Sequence, residues 1–247
     1  MQLKLFLVHG AFQGGFVWRS LSPRLEALGH MVCAPTLSGS SLTEHINQVS
    51  DLIHTHAGEE QIVLLGHSYG SLVVTGVAKR LPRQIQGLIY LDAPIPSHPT
   101  GEPQSLLDIL GAGPTEFFMQ QTTDGLVSPF PPAAFGLDDS AHSEIIAQHR
   151  SQALDCFTEK CPSWRPEDKA PFPITYIQCA PNDFTNQQVE KAAALQWDVE
   201  SLPESGHCPM ITHPGPLLQL LNTRIFPRIE THNTEEERLE SDISCNI

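Results

Sequence analysis

No stretch of this 247-residue chain approaches the roughly 20 consecutive apolar residues of a membrane-spanning helix, so membrane insertion of that kind is not expected. Basic residues are scarce as well. Fourteen Lys and Arg stand against 28 Asp and Glu, and a net charge of −14 argues against a nucleic-acid partner, which needs clustered cations. The six cysteines (Cys33, Cys156, Cys161, Cys179, Cys208 and Cys245) lack metal-ligand spacing and read as buried or idle thiols. There is no internal repeat and no nucleotide-binding glycine fingerprint. The first apolar run is short, carries Lys4 and holds His9, so a signal peptide is not expected and the cytoplasm is the default compartment.

What remains is the raw material of one large core. Apolar residues make up 40% of the chain, enough for a single packed unit of this length. Short aliphatic or β-branched runs at Leu3–Val8, Met31–Pro35, Gln61–Gly66, Gly87–Asp92, Ile174–Cys179 and Trp197–Leu202 predict strands, most of them buried on both faces. Between them, Phe16–Leu28, Ser41–His56, Ser71–Arg80, Asn186–Leu195 and Pro216–Phe226 predict helices, with Gly29, Gly58 and Pro82 as stops. Strands alternating with helices predict an α/β fold with a doubly wound, mostly parallel sheet.

Two segments break this rhythm. Residues 95–173 hold seven prolines from Pro96 to Pro132 and helical pieces near Ser105–Leu110, Thr115–Gln121 and Ser140–Asp155. An insertion of that length is usually functional. From Arg228 to Ile247 the chain turns acidic and poor in apolar residues, which predicts a solvated tail.

The chemistry starts at Gly66-His67-Ser68-Tyr69-Gly70, between a predicted strand and a predicted helix. That is the context a G-x-S-x-G nucleophile elbow requires, because a serine in a strained turn needs neighbours without a β-carbon. The pentapeptide alone would fit an ordinary strand-to-helix turn; its placement makes Ser68 a candidate nucleophile. A serine hydroxyl needs a base. His207, in Glu204-Ser205-Gly206-His207 after the last strand, is the candidate, preferred to His213 because Gly206 loosens the turn before it.

With Leu3 to Gly15 opening the chain as a strand and a glycine loop, these residues resemble the α/β-hydrolase superfamily. Within it they resemble the esterase, plant methylesterase and hydroxynitrile lyase group, and the likeness runs from about Leu3 to Phe226. The resemblance implies an α/β-hydrolase core from 1–94 and 174–227. It also implies a largely helical cap from 95–173 above the serine, and leaves 228–247 as the tail. It implies backbone N–H groups of Ala11 and Tyr69 as the oxyanion hole, with Phe12 second to Ala11, and His9 and His67 as supports of geometry. It implies a triad acid, for which Asp183 in Ala180-Pro181-Asn182-Asp183 is preferred. Asp92, at the end of the fourth strand, is the rival. Cap aromatics Phe117, Phe118, Phe130, Phe135 and Trp164, with Phe12, either line a substrate pocket or fasten the cap to the core.

The expected activity is hydrolysis of a small, mainly apolar carboxylic ester, lactone or thioester through an acyl-enzyme. No metal or organic cofactor is implied, and the expected partner is a small-molecule substrate. Cyanohydrin cleavage is the alternative within the group. The threonine and lysine that support it in the plant lyases are replaced by Ala11 and by Cys208-Pro209-Met210. A ligand receptor retaining the hydrolase fold is the alternative from another class.

Overall fold

The computed structural model describes residues 2–138, 140, 142–179 and 181–232. Six strands form a sheet that is parallel throughout: β1 (Lys4–Val8), β2 (Met31–Cys33), β3 (Ile62–His67), β4 (Ile85–Leu91), β8 (Ile174–Gln178) and β9 (Asp198–Ser201). Their order across the sheet is β2-β1-β3-β4-β8-β9. Every residue of β3 and β4 is buried, as expected for central strands covered on both faces. The flanking helices are α1 (Ser22–Ala27), α2 (Leu42–Ala57), α3 (Gly70–Arg80), α8 (Asp183–Ala194), α9 (Pro209–Thr212) and α10 (Pro214–Leu220). The expected helix from Phe16 shortens, because Gly15–Trp18 forms a separate 3-10 turn.

This strand order fixes where chemistry can occur. The chain leaves β1 towards β2 on one side, then returns to the other side as β3. Loops after β1 and β3 therefore separate over a crevice at the carboxyl end of the sheet, the place where α/β sheets bind ligands. Close packing sharpens the crevice. A β-carbon on Gly70 would lie 2.7 Å from the carbonyl oxygens of both Val8 and His9, so only glycine lets α3 start this near β1.

Residues 95–173 follow β4 and pack at that end, where Phe130 and Phe135 meet Phe12 of the loop after β1. They contain α4 (Leu106–Leu110), α5 (Ala112–Gln120), α6 (Ser143–Ile146) and α7 (Asp155–Thr158). They also contain a small antiparallel sheet of β5 (Thr122–Thr123), β6 (Leu126–Val127) and β7 (Gln152–Ala153). Ser105 and Asp108 close a reciprocal capping box at the start of α4. The helix expected across Ser140–Asp155 is not what forms. α6 is a single turn, after which the chain extends so that β7 can pair with β6.

The C-terminal helix continues from α10 through a π-helical turn at Leu221–Ile225 as far as His232. This corrects the start of the expected tail. Ile229 is buried against Gly87 of β4, and Arg228 pairs with the buried Glu200 of β9. The rest of that segment, 233–247, lies outside the described residues. Among the described residues no helix is long and apolar enough to cross a membrane.

Candidate active site

β3 ends at His67, and the chain turns at Ser68 with φ at +51° before α3 begins at Gly70. A left-handed backbone is uncommon for a residue with a β-carbon, and it lifts the half-buried Ser68 side chain off the strand end. The neighbouring strand repeats the device. β4 ends at Leu91, which pairs in register with His67, and Asp92 follows with φ at +45°. The sheet ladder runs one step past both strands: the Ser68 amide donates to Leu91 O at 3.2 Å, and the Asp92 amide donates to Ile177 O at 2.8 Å.

His207 meets Asp92. Its Nδ1–H donates to Asp92 Oδ2 at 2.8 Å, while Asp92 Oδ1 accepts the Cys179 amide at 2.8 Å. The carboxylate is buried, so these two donors stand in for water. With Nδ1 committed, Nε2 is the imidazole nitrogen left to accept a proton. The expected partner of His207, Asp183, is therefore corrected: the rival, Asp92, holds the imidazole. Asp183 is the first residue of α8, exposed, and follows the Asn182 cap; its charge suits a helix N-terminus. The physical reason is reach: Asp92 stands at a strand tip in register with Ser68, whereas Asp183 lies one loop beyond the end of β8.

Two further histidines hold the frame. His67, fully buried, donates from Nε2 to the backbone oxygen of His207 at 2.8 Å, and the two rings lie 4.7 Å apart. Burial and the nearby His207 ring keep the His67 pKa well below the usual histidine range, so it stays neutral. His9 accepts the Leu37 amide at Nε2 (2.9 Å) and donates from Nδ1 to Gly10 O (2.8 Å). Burial lowers its pKa to about 4. Because a trans peptide is planar, a fixed Gly10 oxygen also fixes the Ala11 N–H, which points the opposite way. The Phe12 amide is occupied differently. It donates to Gln152 Oε1 at 3.0 Å, so of the two expected oxyanion amides of this loop, that of Phe12 is committed within the protein.

Ser68, His207, Asp92, Ala11 and Tyr69 line one cavity of about 390 Å³. Its walls are mainly apolar: Phe12, Phe118, Phe130, Phe135, Leu106, Leu110, Pro94 and Phe184, with Asn182 and Thr185 as polar members. Phe12 packs edge-on against Phe130 (5.0 Å) and Phe135 (6.4 Å), joining the loop after β1 to the 95–173 segment. Two expected pocket residues are corrected. Phe117 lies outside the lining, 42% exposed, because its helical neighbour Phe118 takes the inward face. Trp164 is buried elsewhere, donating from Nε1 to Tyr90 Oη at 2.8 Å beneath the Lys79 ammonium. Phe184, Asn182, Leu106 and Leu110 were not anticipated. Phe184 had a signal, an aromatic residue just past a strand end, whereas the leucines had none beyond helical amphipathicity.

Cys208, next to His207, is fully buried, and burial pushes its thiol up to about 12. At neutral pH it is a protonated packing group. Among the described residues no three His, Cys, Asp or Glu side chains are grouped to hold a metal ion.

Residues 5–220 match the family model described as the alpha/beta hydrolase family. The chain belongs to the alpha/beta hydrolase family. It is 37% identical over 102 residues to the carbendazim hydrolyzing esterase of a Nocardioides species, a match covering 37% of this chain and 42% of that esterase. That match thus spans under half of the relative's length. Methylesterase 10 of Arabidopsis thaliana is 24% identical over 246 residues, covering 87% of this chain and 88% of the methylesterase. Among solved structures, an extracellular α/β-hydrolase from a Paenibacillus species superposes with a TM-score of 0.73. It is 20% identical and covers 89% of this chain and 97% of that one, a likeness of fold. The hydrolase family's architecture thus extends across nearly all the described core.

Proposed function

We propose that this protein is a serine hydrolase that cleaves a small, mainly apolar carboxylic ester through an acyl-enzyme. The observation that carries the reading is the 2.8 Å Asp92–His207 hydrogen bond at the cavity that Ser68 also lines. Relatives named as esterases and methylesterases support ester hydrolysis in general. Asp92 takes the acid's role in place of Asp183.

His207 Nε2 takes the proton as Ser68 Oγ attacks the ester carbonyl carbon. The Ala11 and Tyr69 amides donate to the oxyanion of the tetrahedral intermediate. Collapse breaks the bond to the alcohol oxygen, which leaves with the proton held on His207. Water, deprotonated by the same imidazole, then attacks the acyl-enzyme, and collapse releases the acid and restores Ser68. Asp92 holds the ring orientation throughout and stabilises the imidazolium. Aromatic and aliphatic walls favour an apolar substrate. Among the described residues, four buried free thiols and the half-buried Cys33 suit a reducing compartment such as the cytoplasm.

The decisive experiment pairs an ester screen with active-site labelling. A fluorophosphonate should label Ser68 alone, and Ser68→Ala should abolish hydrolysis while remaining folded. Active, folded protein that resists the probe would sink the assignment. The lyase alternative gains nothing from the cavity, since no lysine is among its described lining residues.

A further inference from the structure

We propose that Gln152, on the cap strand β7, is a positioning residue for the Ala11 oxyanion amide, so that the cap shares with His9 in setting the hole's geometry. The inference rests on the assignment of Ser68 and Ala11 made above. Two peptide planes flank Ala11, and its φ and ψ are the rotations between them. The plane on the Gly10 side is held from the core, by His9 Nδ1–H on Gly10 O. The plane on the Phe12 side is held from the cap, by Gln152 Oε1 accepting the Phe12 N–H at 3.0 Å.

The cap takes hold of this loop twice. The Arg150 N–H donates to Phe12 O at 2.9 Å, so residues 150 and 152 clasp both backbone polar groups of Phe12. Phe12 needs such a clasp. Its φ of +65° is disfavoured for a residue carrying a β-carbon, and without partners the loop would relax to a more extended backbone. The side-chain amide of Gln152 has a defined sense. The Phe12 N–H fixes that sense, because within the amide only Oε1 can accept it. Gln152 touches no reacting atom; it acts through Phe12 on Ala11.

This arrangement differs from a loop held by its own turn residues. Gln152 itself is held in the β6–β7 pairing, so through the Phe12 N–H the loop's alignment is linked to the cap sheet. An interaction that acts only on the oxyanion raises kcat and leaves ground-state binding nearly unchanged.

The test compares Gln152→Met, which keeps length and loses the acceptor, with Gln152→Glu, which keeps an acceptor oxygen. Loss of a whole oxyanion donor costs on the order of 10²–10³ in kcat, and a misaimed one should cost about tenfold. Gln152→Met should therefore lower kcat on an aryl ester about tenfold with KM within about twofold. Affinity for an aryl trifluoromethyl ketone, whose Ser68 adduct carries the same oxyanion, should fall in parallel. Gln152→Glu should stay within about threefold of the parent on both measures. Unchanged kcat and ketone affinity in Gln152→Met, or equal losses in both variants, would overturn the proposal. Should Gln152→Met not fold, hydrogen exchange at the Phe12 amide of the unaltered protein decides: protection is expected, and free exchange overturns it. Full activity in Ser68→Ala would instead remove the underlying assignment, whereas inactive Ser68→Ala beside unaffected Gln152→Met removes this inference alone.

Discussion

Asp92 and His207 are 115 positions apart in sequence and 2.8 Å apart in space, joined through Oδ2 and Nδ1. The carboxylate that orients the histidine therefore comes from the tip of β4 and not from the loop after β8. Asp92→Asn should lower kcat by about 10³–10⁴, because an amide admits the wrong tautomer and cannot offset imidazolium charge. Asp183→Asn should stay within about twofold, since an exposed first-turn carboxylate contributes only weakly to its helix. Steady-state kinetics on both variants checks this, and the reverse ranking would return the acid to Asp183.

Stability should fall as pH drops from 7 towards 5. His9 is held at a pKa of about 4 by burial, and His67 is held well below the usual range by burial and His207. Both pKa values are depressed on folding, so the unfolded chain binds more protons and stability rises with pH. The contribution is complete above about 6.5, the unfolded value, and is lost progressively below it, by up to about 3 kcal/mol for His9 at pH 4. Urea unfolding at pH 7.5, 6 and 5 reads this directly; an unchanged midpoint across that range would contradict it.

The two sites of close backbone approach can be tested against a neutral control. Gly70→Ala should destabilise by about 1–3 kcal/mol, because its β-carbon would meet two backbone carbonyls that cannot rotate away. Gly66→Ala should behave similarly, with Val74 Cγ2 at 2.6 Å and Gly70 O at 2.8 Å. Gly113→Ala in α5 meets nothing within 4 Å and should be neutral or stabilising by up to about 1 kcal/mol. Chemical denaturation of the three variants should give that order.

Thiol reagents should leave hydrolysis intact. Cys208 and Cys179 flank the Asp92–His207 pair, yet both are buried and burial raises both pKa values, Cys208 to about 12. The nucleophilic thiolate is essentially absent at neutral pH. Iodoacetamide treatment of folded protein should retain most activity, with mass spectrometry finding Cys208 unmodified. Rapid inactivation with Cys208 alkylated would refute this.

The sheet was legible because each strand carries its own local signal. All six predicted runs became strands, shifted by no more than about two residues at most ends, since β-branched runs between turn residues leave few alternatives. The elbow was legible for the same reason. The carboxylate that bonds His207 was not, because an aspartate at a strand tip and one at a helix start look alike in sequence. Only registry with Ser68 distinguishes them. Phe117 and Phe118 pose the same difficulty one residue apart: which ring faces the cavity depends on how α5 seats, and its weak amphipathicity does not dictate that. The β5-β6-β7 sheet was missed because two-residue strands carry too little pattern to register.

The matched corners at Ser68 and Asp92 have a consequence for tolerance to change. Both follow paired residues of adjacent parallel strands, so their spacing inherits the inter-strand repeat of about 4.8 Å. That repeat is a property of peptide hydrogen bonding and no side chain can stretch it. The sheet thus acts as a ruler. Insertions in the 95–173 segment can reshape what enters the cavity while Ser68 and Asp92 stay gauged to one another.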